Sequence, residues 1–121
     1  MFKCIISAIC FVSSLTYAVS LPDPLEAGWQ GQQVCVKLHE DEKQRMLRCT
    51  FPPSVGHERH FHAANVGYTI QGGIVRMVDA KGTREATIKT GDTHVNSNGT
   101  EWHEIVNIGE TTIIYLVIEV K

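Results

Sequence analysis

The sequence predicts an all-β fold, in the form of a small antiparallel β-barrel, from three observations. Short β-prone runs follow one another through most of the chain, and turns rich in Gly, Asn and Pro separate them. No segment keeps the apolar period of a helix over about ten residues. Turn signals at this spacing are typical of β-sandwiches and β-barrels.

The first two predicted strands read as a hairpin. Residues 34–38 and 45–51 are β-prone and flank a polar segment. If the hairpin folds about Glu42, Cys35 and Cys49 lie directly opposite each other. Cross-strand spacing is slightly wide for a disulfide, so two interpretations stay open at this stage: a disulfide, or two half-buried thiols that pack as small apolar groups.

Seven further strands are predicted after Pro52-Pro53, where a strand ends because proline cannot donate to a sheet ladder. They cover residues 60–63, 67–71, 74–79, 84–89, 93–96, 101–108 and 111–120. The last strand is apolar on both sides, with Ile113, Tyr115 and Val117 on one face. Two apolar faces need two coverings, which favours a homodimer.

The first residues predict a secretory signal peptide. Lys3 precedes an apolar run over residues 4–12, and cleavage is expected after Ala18, with Val19 or Ser20 as an alternative end. The run is too short for a typical membrane-spanning helix, so an uncleaved anchor is the less favoured alternative. The predicted organisation is a signal peptide over 1–18, an N-terminal arm over 19–32 and a barrel domain over 33–121, exported to the periplasm or secreted. Trp29 either pins the arm to the barrel or to a neighbouring subunit, or covers one end of the core.

The charge balance limits the possible partners. The chain of 121 residues carries 11 Lys and Arg against 13 Asp and Glu. Nucleic acids and anionic lipids call for a basic face, so neither they nor a membrane, once the signal is cleaved, is an expected partner. A small-molecule ligand or substrate is expected instead.

Three histidines carry the chemistry. His60 and His62 share one face of a strand because side chains alternate with a period of two, and His103 lies on a later strand. If both faces point into one barrel, the three imidazoles converge; the alternative is a set of surface or cavity histidines that hold nothing. Three nitrogen ligands with open positions are the pattern of a catalytic or ligand-binding transition-metal site, whereas structural zinc sites are usually closed by four ligands. The same spacing puts His57 on the opposite face.

Glu101 is the predicted catalytic residue. It lies two residues from His103 on the same face and can serve as a general base or orient an imidazole; solvation of the barrel mouth is the alternative role. Glu58 is predicted on the face of His60, and Tyr68 on a neighbouring strand is a candidate lining residue for the pocket, although a core role is its default.

These residues resemble the two signature motifs of the cupin family. The first matches at His60-Phe61-His62 and runs towards Gly72-Gly73. The second matches from Gly91 through Ser97-Asn98-Gly99 to His103 and Asn107. The similarity covers roughly residues 45–121, and it implies a cupin double-stranded β-helix, or jelly roll.

Two departures from the family pattern stand out. The metal-binding Glu of the family would fall on Val66, or on Gly67 with one further residue, and neither can ligate. A Ser replaces a frequent Pro in the second motif, with one extra residue between Gly99 and His103.

The resemblance therefore implies a three-His site. Water, Asn65 or His57 would fill the fourth position, and the metal would be Fe, Zn, Mn, Ni or Cu. The implied activity is that of an oxygenase, isomerase or lyase; the alternative is a non-catalytic module that binds a ligand or partner.

Overall fold

Strands make up all the regular secondary structure in a computed structural model that describes residues 9–15 and 20–121. The strands are β1 (Gly28–Trp29), β2 (Gln32–Gln33), β3 (Cys35–Glu40), β4 (Gln44–Phe51), β5 (Gly56–His62), β6 (Asn65–Gln71), β7 (Gly73–Asp79), β8 (Gly82–Ile88), β9 (Thr93–Asn96), β10 (Thr100–Asn107) and β11 (Ile113–Val120). The predicted cleavage point after Ala18 lies outside the described residues. Within the described ranges there is no helix of the length and apolarity that crossing a membrane requires.

Two antiparallel sheets form the body of the fold. One has the order β5-β10-β7-β8 and the other the order β3-β4-β11-β6-β9. Neighbours within each sheet are mostly distant in sequence, which is typical of a jelly roll. The all-β prediction is confirmed, although β5 begins at Gly56, four residues before the predicted start.

The core lies between the two sheets and is built from one face of each strand. Its central cluster contains one disulfide and four larger apolar residues: Cys35 with Cys49, and Val34, Phe51, Val75 and Ile113. Alternation along the strands explains the selection, because every second residue points inward.

The hairpin prediction is confirmed, and the structure decides between its two interpretations. β3 pairs with β4 so that Cys35 faces Cys49, and the two sulfurs are bonded. The register shifts between Lys37 and His39, so the pairing beyond the disulfide is irregular. The bridge lies in the core and ties the first strand to the sheet.

The arm is more regular than the sequence suggested. β1 and β2 pair through Trp29 and Gln32. Trp29 packs against the core cluster, close enough to Gly56 that a side chain there would collide with the indole ring. Trp29 thus covers one end of the core, as its default role predicted.

Asn107, from the second motif, has a structural place. It is 1% exposed. Its Nδ2 donates to the carbonyls of Phe51 (2.8 Å) and Thr111 (2.7 Å), and its Oδ1 accepts from the Gly109 amide. The side chain therefore ties the turn after β10 to the neighbouring sheet.

Candidate metal centre

Three imidazoles meet between β5 and β10. The Nε2 atoms of His60, His62 and His103 form a nearly equilateral triangle with sides of 3.0, 3.1 and 3.0 Å. Their rings meet edge to face, with interplanar angles of 69° to 86°. The three histidines, which were predicted on two separate strands, converge in the structure.

The strand register explains how the three rings come together. β5 and β10 are antiparallel, and His60 lies directly opposite His103 while His62 lies opposite Thr100. Partners across a ladder point to the same side of the sheet, so all three imidazoles face inward. The register shifts twice, between Thr100 and His103 and between His103 and Ile105.

These shifts correct the predicted face of two residues. His57 was expected on the opposite face from His60, but both are buried. His60 pairs with His103 and His57 pairs with Ile105, so that two residues of β5 lie opposite one residue of β10. The extra residue on β5 breaks the alternation. Glu58 was expected beside His60, yet it is exposed and accepts a hydrogen bond from the Gln30 amide.

His57 lies behind the cluster and is not one of the three converging donors. Its ring stacks on that of His60 with centroids 3.7 Å apart, and its Nε2 donates to the carbonyl of Pro24. On the other side, the His60 Nδ1 donates to the carbonyl of Glu58 at 2.6 Å. Glu58 therefore orients the imidazole through its backbone rather than its side chain. This bond fixes the His60 tautomer and leaves its Nε2 with a lone pair directed at the other two rings.

Burial keeps the histidines neutral. It lowers the pKa of His62 to about 2, with His103 adding to the effect. It lowers the pKa of His103 to about 4, with His60 adding to the effect. Burial also lowers the pKa of His60, although the hydrogen bond to Glu58 acts in the opposite direction. Neutral imidazole is the form that binds metals.

The three nitrogens fit a metal ion better than they fit one another. A neutral imidazole has one N–H, and that of His60 is already used at Nδ1, so its Nε2 can only accept. The Nδ1 of His62 is buried without a hydrogen-bond partner among the described residues. Three nitrogens about 2.1 Å from a shared ion and about 90° apart would be about 3.0 Å from one another, against about 3.4 Å for tetrahedral angles. The observed spacing therefore fits three nitrogens that would hold one shared ion.

The triangle opens into a cavity of about 640 Å³ between the sheets. Besides the histidines, its wall includes apolar residues such as Val75 and Met77 and polar ones such as Arg84 and Tyr115. Phe61 is 38% exposed on the outer face of β5 and is absent from the lining. The volume is that of an ordinary small-molecule site.

Glu101, the predicted catalytic residue, lines this cavity near its mouth but is exposed. The inward face of Glu101 was predicted from strict alternation with His103. A register shift before His103 breaks that alternation, since Thr100 pairs with His62 and His103 pairs with His60. Within the described residues its carboxylate makes no hydrogen bond to a histidine. Its catalytic role stays a prediction.

Neither proposed side-chain donor for the fourth position joins the three histidines. Asn65 is buried, but its Nδ2 donates to the carbonyl of Ala63 and its Oδ1 accepts from Asn96. His57 is held by Pro24. The candidate lining residue Tyr68 points outward and is 47% exposed.

A partly buried ionic network behind the site was not predicted from the sequence. Arg45 bonds Asp23 of the arm at 3.0 Å and Glu119 of β11 at 3.1 Å. Glu119 is 2% exposed and also accepts from the amide of Ala63, next to His62. The arm, the central strand and the end of β5 are thereby joined. The ionic partners are distant in sequence, so no local pattern indicates the network.

Solved structures with the same architecture are known. A cupin domain from Bordetella pertussis Tohama I has a TM-score of 0.66 and 18% identity, over 86% of this chain and 99% of that one. The polyketide cyclase RemF from Streptomyces resistomycificus has a TM-score of 0.59 and 18% identity, over 88% and 80%. A predicted oxalate decarboxylase from Thermotoga maritima has a TM-score of 0.53 and 23% identity, over 72% and 79%.

This chain has the cupin fold, and the resemblance drawn from its two motifs is confirmed at that level. No family model matches the chain, and no curated protein matches it. At these identities the solved structures establish the architecture, while the chemistry has to be argued from the residues of this chain.

Proposed function

We propose that this chain binds one divalent transition metal ion, Fe, Zn, Mn, Ni or Cu, through His60, His62 and His103, and that a small molecule enters the cavity beside it. The observation that carries the proposal is the triangle of Nε2 atoms 3.0 to 3.1 Å apart at the wall of that cavity. Such an ion would act as a Lewis acid towards an oxygen of the ligand.

The protein's own contribution is to keep the donors in place. The backbone of Glu58 holds the His60 ring from one side, and His57 packs against its face. Because these supports hold the His60 ring on two sides, the imidazoles need little rearrangement to bind an ion. Burial keeps them unprotonated well below neutral pH, so protons compete weakly for the site.

The cavity favours a small molecule over a macromolecular partner for this site. Its volume lies within the range of about 300 to 1,000 Å³ that ligand sites occupy. As an enzyme, the protein would be an oxygenase, isomerase or lyase, with Glu101 at the mouth transferring a proton. A non-catalytic ligand-binding cupin is the alternative, and it is favoured by the absence, within the described residues, of a hydrogen bond between the exposed Glu101 and a histidine.

Metal content tests the central proposal. We compare the full chain with its His60→Ala and His103→Ala variants. Each protein is purified without added metal and dialysed against the five candidate ions, and its metal content is measured by elemental mass spectrometry. A His39→Ala variant is the matched control, because His39 is exposed and its side chain bonds Asp41, away from the three histidines. We expect about one ion per chain in the parent and control and a loss of most of it in the other two. Equal metal content in all four proteins would refute the proposal.

We also propose that the chain is exported and cleaved after Ala18, in the periplasm or outside the cell. A disulfide between Cys35 and Cys49 suits an oxidising compartment, which supports the proposal. The mass of the protein recovered from the exporting host gives the cleavage point. A product that retains Met1 to Ala18 in the cytoplasm would contradict it.

The outer face of β11, β6 and β9 supports the proposed homodimer. Its outward residues carry no charge and, apart from Gln71 and Thr93, are apolar or aromatic: Ile114, Leu116, Ile118, Val120, Val66, Tyr68, Ile70, Gln71, Thr93 and Val95. Val95 is 67% exposed and Tyr68 is 47% exposed. An uncharged apolar face of this kind is matched best by a second copy of itself.

Light scattering during gel filtration tests the dimer. Leu116→Glu places a charge at the centre of this face and is expected to give monomers. Ile74→Glu is the control, because Ile74 is 45% exposed on the outer face of the other sheet. Monomers in the parent chain would contradict the proposed interface.

A further inference from the structure

The place of the missing carboxylate is taken by another side chain. On β6 the inward residues are Asn65, Gly67 and Thr69, all buried, while Val66 points outward. Gly67 is therefore the residue at which the resembled motif would direct its Glu into the cavity. A Cβ built on Gly67 would overlap the hydroxyl oxygen of Tyr115 and lie 2.5 Å from its Cζ.

Tyr115 reaches this position from the neighbouring strand. On β11 it is paired with Thr69, while the next inward residue, Val117, is paired with Gly67. The phenol ring of Tyr115 is therefore directed diagonally across the ladder and occupies the space beside Gly67. On the far side of Gly67 lies His94 of β9, whose ring centroid is 6.4 Å from that of Tyr115. Only a residue without a side chain allows this arrangement.

The Tyr115 hydroxyl is free to bind a ligand. It makes no hydrogen bond with another side chain or backbone group in residues 9–15 and 20–121. The residue lines the same cavity as His60, His62 and His103. Burial raises the pKa of Tyr115, so the hydroxyl keeps its proton at neutral pH and can donate it in a hydrogen bond.

We propose that Tyr115 replaces the absent carboxylate as a ligand-binding residue, and that it donates a hydrogen bond to a carboxylate of a small molecule held at the three-histidine site. This inference rests on the proposed metal binding. Three neutral imidazoles leave both positive charges of a divalent ion uncompensated, which favours an anionic ligand. A Glu at position 67 would repel such a ligand, whereas a neutral hydroxyl attracts it.

Acetate binding to the cobalt-substituted full chain tests the role of Tyr115. The visible spectrum of Co(II) reports acetate binding, and elemental analysis reports metal content in the same samples. Tyr115→Phe removes only the hydroxyl, and Tyr68→Phe is the matched control on the outer face of the adjacent strand. We expect Tyr115→Phe to keep its cobalt and to bind acetate about tenfold to a hundredfold more weakly, as expected for the loss of a hydrogen bond to a charged group. The control should bind acetate like the parent.

The outcomes separate the two proposals. Unchanged acetate affinity in cobalt-bound Tyr115→Phe would overturn the role of Tyr115 and leave the metal site standing. Failure of the parent chain to bind cobalt or any of the five candidate ions would overturn both.

A second pair of variants tests the exchange of a carboxylate for a phenol. Gly67→Glu alone should lower the unfolding midpoint, because the new side chain overlaps Tyr115. Gly67→Glu combined with Tyr115→Ala should fold, retain cobalt longer against a chelator than the parent, and bind acetate more weakly. A Gly67→Glu protein as stable as the parent would show that Tyr115 does not occupy this space.

Discussion

Acidification is expected to unfold the metal-free protein because buried histidines stay neutral in the folded chain. Burial and the neighbouring His60 lower the pKa of His57 to about 3. His62 and His103 have pKa values of about 2 and about 4 for similar reasons. In the unfolded chain each returns to its ordinary value of about 6.5. Below that pH the unfolded chain binds more protons, so the free energy of unfolding falls as the pH falls.

The magnitude follows from the gap between folded and unfolded pKa. Each pH unit below about 6.5 lowers the free energy of unfolding by about 1.4 kcal/mol per histidine, so the change from about pH 7 to about pH 5 amounts to about 2 kcal/mol each. Three such groups together give about 6 kcal/mol, comparable with the whole stability of a small domain. The loss ends only below the folded pKa values.

Urea unfolding in the presence of a chelator measures this loss at the two pH values. His57→Phe removes one titrating ring outside the three donors, and the pH dependence should become smaller by about 2 kcal/mol. A free energy of unfolding that is the same at both pH values would refute the reasoning, since it would mean that these imidazoles titrate in the folded chain as they do in water.

Three further predictions concern the disulfide, the second motif and the cavity mouth. Reduction of the Cys35–Cys49 bridge, which spans a sequence separation of 14, should lower the free energy of unfolding by about 3 kcal/mol, measured by urea unfolding with and without reductant. Asn107→Ala should cost about 3 kcal/mol in the same assay because three hydrogen bonds are lost in a buried turn, and a loss below about 0.5 kcal/mol would contradict that structural role. Glu101→Gln should leave metal content and stability unchanged, since the side chain is exposed and, within the described residues, makes no hydrogen bond to a histidine. Once a substrate is found, a drop in kcat of about a hundredfold or more would identify Glu101 as the proton-transferring group, and an unchanged kcat would remove it from the mechanism.

The strands were predictable because their signals are local. Alternating apolar residues and Gly-containing turns predicted nearly every strand of the two sheets. The spacing of the histidines along their strands predicted that His60, His62 and His103 converge. The hairpin predicted the Cys35–Cys49 register, but the distance between the sulfurs decides whether they bond, and the pairing of the folded strands sets that distance.

Strict alternation gave the wrong face for some residues where the pairing of β5 and β10 contains register shifts. One register shift puts His57 on the same face as His60. The other breaks the alternation from which the inward face of Glu101 was predicted. A bulge depends on how two strands far apart in sequence pair, so a period of two read along one strand cannot reveal it. The same holds for Tyr115 over Gly67 and for Arg45 with Asp23 and Glu119, since each involves elements that only the fold brings together.

The hydrogen bonds of the arm affect where the chain can be shortened. Pro22 accepts from the amide of Phe61, between two of the site histidines, and Pro24 accepts from His57. A protein cut to residues 33–121 would lose both acceptors, so that the N–H of His57 would lose its partner beside the ring of His60. Proteolytic trimming of the arm would therefore disturb the imidazole triangle from behind, although every residue of the triangle would still be present.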